Sequence, residues 1–168
     1  MELSFKHLVL LAALLLTALS AGLFYAWEVS VIPGTRKLSD ACYLQTMQSI
    51  NRAILNPGFY LIFFGSLLAM VLNIYFQYQN QTNVALGLMI AAMACYTIGT
   101  FGVTVFGNVP LNEALDKLDL TTLSVSEAQI SRQQYESQWN MLHTWRTVCA
   151  VAALVALQLG ALIQLIKS

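Results

Sequence analysis

Four stretches of the chain carry no charged residue: Leu8–Trp27, Pro57–Tyr78, Val84–Phe106 and Thr147–Ile166. Each is about 20 residues or slightly longer, enough at about 1.5 Å per residue to cross roughly 30 Å of hydrocarbon. Backbone amides and carbonyls cannot be left bare in a bilayer core, so a spanning segment is a helix or a strand of a closed barrel. None of the four shows the two-residue alternation of a barrel strand. The pattern predicts four transmembrane helices, at about 8–27, 57–78, 84–106 and 143–166, the last entered through polar residues that precede its apolar run.

The connections follow from the alternation of spans. Residues 79–83 predict a tight uncharged turn that makes spans two and three an antiparallel hairpin. The two longer connections, Glu28–Asn56 and Gly107–Arg146, then share the opposite side. The first opens with the breaker Pro33-Gly34 and continues as a helix-compatible stretch, Ser39–Leu55. Pro57 either kinks one continuous helix or stands at the first position of a new one, with Asn56 as its cap. The second contains Asn108-Val109-Pro110, a short helix signal around Leu111–Leu118, and Ser126-x-x-Gln129, which fits a capping box opening a long helix. Ala18-x-x-x-Gly22 and Cys95-x-x-x-Gly99 mark places where helices could approach closely. The expected fold is all-α: an integral membrane four-helix bundle with a polar cap formed by the two long loops, residues 1–168 making a single four-span domain.

Composition agrees with lipid as the solvent. The chain is 58% hydrophobic and 10% charged, where a soluble domain has about 25% charged residues. Net charge is zero and there is no basic run, which argues against nucleic acid as a partner. Cys42, Cys95 and Cys149 are odd in number, far apart and form no CxxC, so neither a disulfide framework nor a thiolate metal site is expected. The segment from Met1 to Gly22 imitates a secretory signal, with Lys6, an apolar run and Ala18-Leu19-Ser20; we read it as a retained first span. Lys and Arg are concentrated on the long-loop side (Arg36, Lys37, Arg52, Lys117, Arg132 and Arg146 against Lys6 and Lys167), which favours that side as cytoplasmic.

Candidate chemistry lies at the span ends on the same side. Span one ends at Trp27-Glu28. Gln48, Asn51, Arg52 and Asn56 precede span two on one helical face. Span three carries a stripe of Thr97, Thr100, Thr104 and Asn108, followed by Asn112-Glu113. Span four is entered through Trp139, Asn140, His143 and Arg146, with 139, 143 and 146 stacked on one face. Ionisable groups at membrane depth are costly and are usually paired or functional. The plain alternative is a set of ion pairs and amide bridges locking the helix ends, with Trp27 and Trp139 as interfacial anchors and each Thr bonded to its own preceding carbonyl. Counting limits cofactors: His7 and His143 fall on opposite faces, so a His-rich metal site or bis-His haem does not fit one chain. A single-His haem, or a carboxylate site using Glu28 and Glu113, stays open.

Three segments together carry a family likeness. Met47-Gln48-Ser49-Ile50-Asn51-Arg52-Ala53-Ile54-Leu55-Asn56-Pro57-Gly58-Phe59, Asn108-Val109-Pro110-Leu111-Asn112-Glu113, and Trp139-Asn140-x-x-His143-Thr144-x-Arg146-Thr147 resemble, in order, signature elements of the anthrone-oxygenase-like membrane proteins. The likeness runs from about Gly22 to Gln158. It implies a four-span bundle and, as in some fungal members, oxidation of anthrones to anthraquinones with no metal or organic cofactor. On that reading the chain acts on an apolar phenolic, anthrone-like or quinonoid compound. His143 is the candidate base, Arg52 and Arg146 stabilise the anion, Gln48, Asn51, Asn56, Asn108, Asn112, Asn140 and Glu28 bind or orient, and Trp27 and Trp139 stack on the ring. The expected partners are the lipid bilayer, an apolar small-molecule ligand and, as an option, further copies in a homo-oligomer. The rival readings are a non-catalytic lipid- or quinone-binding module and a small accessory subunit of a membrane complex.

Overall fold

A computed structural model describes residues 4–78 and 83–167. Within them the chain forms five helices and no strand: α1 (Phe5–Thr35), α2 (Asp40–Ala53), α3 (Pro57–Gln77), α4 (Val84–Asp116) and α5 (Val125–Lys167). All but α2 are long and apolar enough to cross a membrane. The turn expected at 79–83 lies outside the described residues, except that Asn83 is helical. α5 is the long helix expected to open near Ser126 and runs unbroken into span four, and α1 and α4 also continue as helix well past their apolar runs. The cap is therefore mostly helix, not loop.

Proline explains how two of these helices run on. Pro33 was expected to break the chain, and Pro110 stands inside a helix where its ring would do so too, since a proline ring clashes with the carbonyl four residues back. Neither does. A π-helical turn lies immediately upstream of each, Trp27–Val31 before Pro33 and Thr104–Asn108 before Pro110. Such a turn widens the backbone ladder and accommodates the ring without ending the helix. Pro57, the third proline, stands at the start of α3, where its missing N–H costs nothing. Asn56 caps that helix, accepting from the Phe59 N–H at 3.0 Å.

A further π turn, Tyr96–Gly102, changes which residues of α4 face inward. Through the two π turns the buried residues are Tyr96, Thr100, Thr104 and Asn108, at a spacing of four. Thr97, expected on this stripe, is exposed, because the expectation assumed a strict 3.6-residue turn. Tyr96 bonds Ser20 of α1 at 2.7 Å and donates to the Phe63 carbonyl of α3 at 3.3 Å, so one side chain ties three spans.

The small-residue motifs divide. A Cβ on Gly99 would collide with Cys149 Sγ and Cβ, so α4 and α5 do approach closely there. Gly22 has nothing within 4 Å of where its Cβ would be and is exposed; α1 turns Ala13, Thr17, Ala21 and Phe24 inward instead. The capping box that opens α5 also sits two residues earlier than expected. Ser124 and Glu127 form it, with Ser124 N–H donating to Glu127 Oε2 at 2.8 Å and Glu127 N–H to Ser124 Oγ at 3.3 Å.

The cap has an apolar core of its own, made by Ile32, Tyr43, Leu44, Met47, Leu115 and Tyr135. Arg132 fastens it. Its guanidinium donates to Glu136, to Asp40 and to the carbonyls of Arg36 and Leu38, clamping the start of α2 onto α5. The same guanidinium lies 4.5 Å from the centre of the Tyr43 ring. Burial holds the Tyr43 phenol above its usual range, so it stays a neutral hydroxyl.

Candidate functional site

Where the cap meets the spans, helices of the bundle separate around a cavity of about 310 Å³. Its walls are largely apolar and aromatic: Leu23, Phe24 and Trp27 from α1, Ile50 from α2, Phe59 from α3, Val109 from α4 and Trp139 from α5. Polar side chains also line it: Asn51, Thr104, Asn112, His143 and Arg146.

α5 supplies the central column. Spacing of four, four and three along one helix stacks Tyr135, Trp139, His143 and Arg146 on a single face. The Trp139 and His143 rings lie parallel within 5° at 5.1 Å, and Trp27 leans on both. Asn112 accepts from Trp139 Nε1 at 2.8 Å and from the Tyr135 hydroxyl at 3.0 Å, while Asn51 Nδ2 donates to that hydroxyl at 3.1 Å. These bonds fix the indole and join α2, α4 and α5 behind the cavity wall.

His143 has a defined tautomer. Its Nε2 is 3.1 Å from the Phe24 carbonyl, which can only accept, so Nε2 carries the proton. Its Nδ1 is 2.8 Å from Nη2 and 3.1 Å from Nε of Arg146, groups that can only donate, so Nδ1 carries the lone pair. The base expected from the sequence thus has its basic nitrogen occupied by the expected anion-binding group. Glu28 stands 3.7 Å from Nε2 and receives the Thr144 hydroxyl at 3.1 Å.

Arg146 is the unusual member. It is 8% exposed, and no ion pair joins it to a carboxylate among the described residues. Its charge is met by His143 Nδ1, by a long 3.4 Å contact to Thr104 Oγ1, and by the faces of Phe24 at 4.8 Å and Trp139 at 5.1 Å. Cation–π contacts offset only part of the cost of burying a charge. The guanidinium is left able to donate to an anionic oxygen in the cavity.

The remaining expected residues have other places. Gln48 donates to the Leu115 and Leu118 carbonyls and closes the end of α4. Asn56 is spent on the α3 cap. Asn108 is fully buried behind the wall, donating to the Trp139 carbonyl at 3.1 Å. Asn140 faces a different surface depression, beside Arg36 and Glu136. Arg52 is at the cavity's rim, paired with Asp116 at 2.6 Å and well exposed. Glu28, Arg52, Glu113 and Arg146 do not pair with one another. Tyr135, Thr104 and Phe24 belong to the site as well. Tyr135 was legible as the next residue back on the 139–143 face, but it lies before the apolar span. No group of three His, Cys, Asp or Glu able to hold a metal occurs among the described residues.

The family model described as anthrone oxygenase matches residues 56–156, more than half of the chain. The chain belongs to the anthrone oxygenase family. The match takes in the Asn108–Glu113 and Trp139–Thr147 elements, and with them the α5 column and Asn112. It begins at Asn56, so Met47–Leu55, and with it Asn51 and Arg52, lies outside the matched region, as does α1. No curated protein and no solved structure matches the chain. Family membership supports an oxygenase-like function.

Proposed function

We propose that this chain is a membrane-embedded, cofactor-independent oxygenase that acts on an apolar phenolic, anthrone-like or quinonoid compound. The observation that carries the reading is Arg146: a buried guanidinium without a carboxylate partner, in the wall of an aromatic-lined cavity. An enolisable carbonyl or phenol oxygen placed against it becomes more acidic, because the charge of the resulting anion falls beside a fixed cation in a dry site. The incoming oxygen also gives the guanidinium a better acceptor than an imidazole nitrogen. Arg146 then releases Nδ1 of His143, which takes a proton from the activated carbon. The resulting carbanion passes electrons to dioxygen, and a carbon–oxygen bond forms to give a hydroperoxide. Loss of water leaves a new carbonyl. The CH₂ carbon is oxidised by four electrons, and dioxygen ends as one carbonyl oxygen and one water. Trp27 and Trp139 supply the flat walls, and Asn51 and Asn112 hold the column in place.

Oxygen uptake and quinone absorbance, measured on purified protein with anthrone as substrate, test this. Arg146→Gln should lower kcat/KM about a hundredfold, the usual loss on removing one oxyanion donor. Equal rates for wild type and variant would sink the mechanism. Anthrone that binds wild type without oxygen uptake favours the second reading, a non-catalytic binder, whose support is that both His143 nitrogens are already engaged. We further propose that the cap faces the cytoplasm, from its excess of Lys and Arg. A cysteine placed within 119–125 should resist impermeant maleimide in intact cells, and efficient labelling would reverse the orientation.

A further inference from the structure

The cavity that ends at Arg146 is open, and its opening has two unlike lips. Arg52 and Asp116, with side chains 63% and 49% exposed, bridge one lip between the end of α2 and the end of α4, with Lys117 beside them. Leu55 forms the other. It lines the cavity, is 60% exposed, and sits in the link between α2 and α3, two residues before Pro57 begins an apolar span. Phe59, one turn into that span, continues the wall inward. The opening therefore stands where hydrocarbon gives way to water, apolar on its membrane side and bridged by an ion pair on its aqueous side.

We propose that the cavity is loaded from the bilayer, past Leu55 and Phe59, by a membrane-dissolved apolar acid whose acidic oxygen leads. Two observations select that occupant. An exposed leucine at the mouth of a cavity is costly against water but costs nothing against lipid. The inner end offers one buried cation with no anion of its own, which an acidic oxygen complements and an uncharged hydrocarbon does not. The proposal shares the acidic ligand with the reading above but concerns the route, and its test is independent of turnover.

The chain has three tryptophans, two of which, Trp27 and Trp139, line the cavity, while Trp145 is 61% exposed on the outer face of α5. Trp145→Phe leaves emission from the cavity wall alone. In vesicles of brominated phosphatidylcholine that variant should lose emission relative to unbrominated vesicles, and aqueous acrylamide should quench it weakly. Adding Leu55→Arg should restore the emission, since a guanidinium at the lip excludes lipid chains. Both substitutions are at exposed positions, and circular dichroism confirms that each variant is helical. Emission untouched by brominated chains overturns the route, whether acrylamide then quenches it or not. Quenching that persists unchanged in Leu55→Arg means the chains reach the indoles elsewhere, and overturns it too. Failure of the anthrone assay leaves these outcomes unaffected.

Discussion

The two halves of this molecule are held together by different physics. In the half remote from the cap, α1, α3, α4 and α5 meet through Ala13, Ala69, Ala92 and Ala153, with Met70, Met89 and Leu157 filling between them. Lipid is as apolar as these side chains, so burying them gains little from leaving solvent; close van der Waals contact and inter-helix hydrogen bonds do the work. Asn73 and Gln77 bond to each other there, and Asn73 also reaches Met89 Sδ. The cap half is walled by large residues, Tyr43, Met47, Tyr135 and Trp139 among them. Its core is withdrawn from water, and each buried aliphatic side chain there contributes roughly 1.5–3 kcal/mol. Small residues close one half, while bulky ones hold the other apart around a cavity. A site for an apolar ligand can form only where the helices are held apart.

The largest effect should come from the half that depends on water. Leu44 is fully buried in the cap core, and Leu44→Ala should cost about 3 kcal/mol through lost transfer energy and an unfilled void. Denaturation in mild detergent, followed by far-ultraviolet circular dichroism, reads it. Should Leu44→Ala melt with wild type, the cap is not an independent hydrophobic core and the contrast fails.

The span half should respond to added volume instead. Gly99→Ala sets a Cβ against the Sγ and the Cβ of Cys149, and a Cβ is fixed to its backbone and cannot rotate away. Overpacking of this kind costs about 1–3 kcal/mol. Gly22→Ala on the exposed face of α1 is the matched control: its Cβ meets nothing, and stability should stay level or rise by up to about 1 kcal/mol, since alanine favours a helix interior. A Gly99→Ala protein as stable as that control would mean that α4 and α5 are free to separate.

The same contrast accounts for what the sequence disclosed. Spans were legible because an uncharged run of 20 residues admits few alternatives, and the 139–143–146 face was legible because α5 is regular throughout. α4 was legible in part: Thr100, Thr104 and Asn108 do face inward, but its inward face drifts through π turns, so that Tyr96 and not Thr97 starts the stripe. The amides were the least legible residues. Gln48 and Asn56 serve helix ends while Asn51 and Asn112 serve the cavity wall, and one side chain chemistry suits both tasks. Depth was misread as well. Span four was read as entered through polar residues at the membrane boundary, yet the cap covers that entry, and His143 is fully buried beneath Trp139. Its replacement by Ala would therefore lose packing as well as chemistry, which makes Arg146→Gln the cleaner probe of function.

Hydroxyls give the finest test of the comparison, and the smallest effect. Thr17 is fully buried in the span half, and its Oγ1 has no hydrogen-bond partner among the described residues. Thr35 is nearly as buried in the cap half, but its hydroxyl donates to the Val31 carbonyl at 2.9 Å. Valine has the same shape as threonine without the donor. At Thr17 the exchange removes a polar atom that gains nothing in the folded chain, so stability should stay level or rise by up to about 1 kcal/mol. At Thr35 it takes a bond from a carbonyl beside the Trp27–Val31 π turn, where the helix ladder is already altered, and stability should fall by about 1 kcal/mol. Paired melting curves decide the matter through the sign of the difference alone. If Thr17→Val were the more damaging of the two, its hydroxyl must have a partner within the bilayer half, and that half would owe more to polar contacts than its alanines suggest.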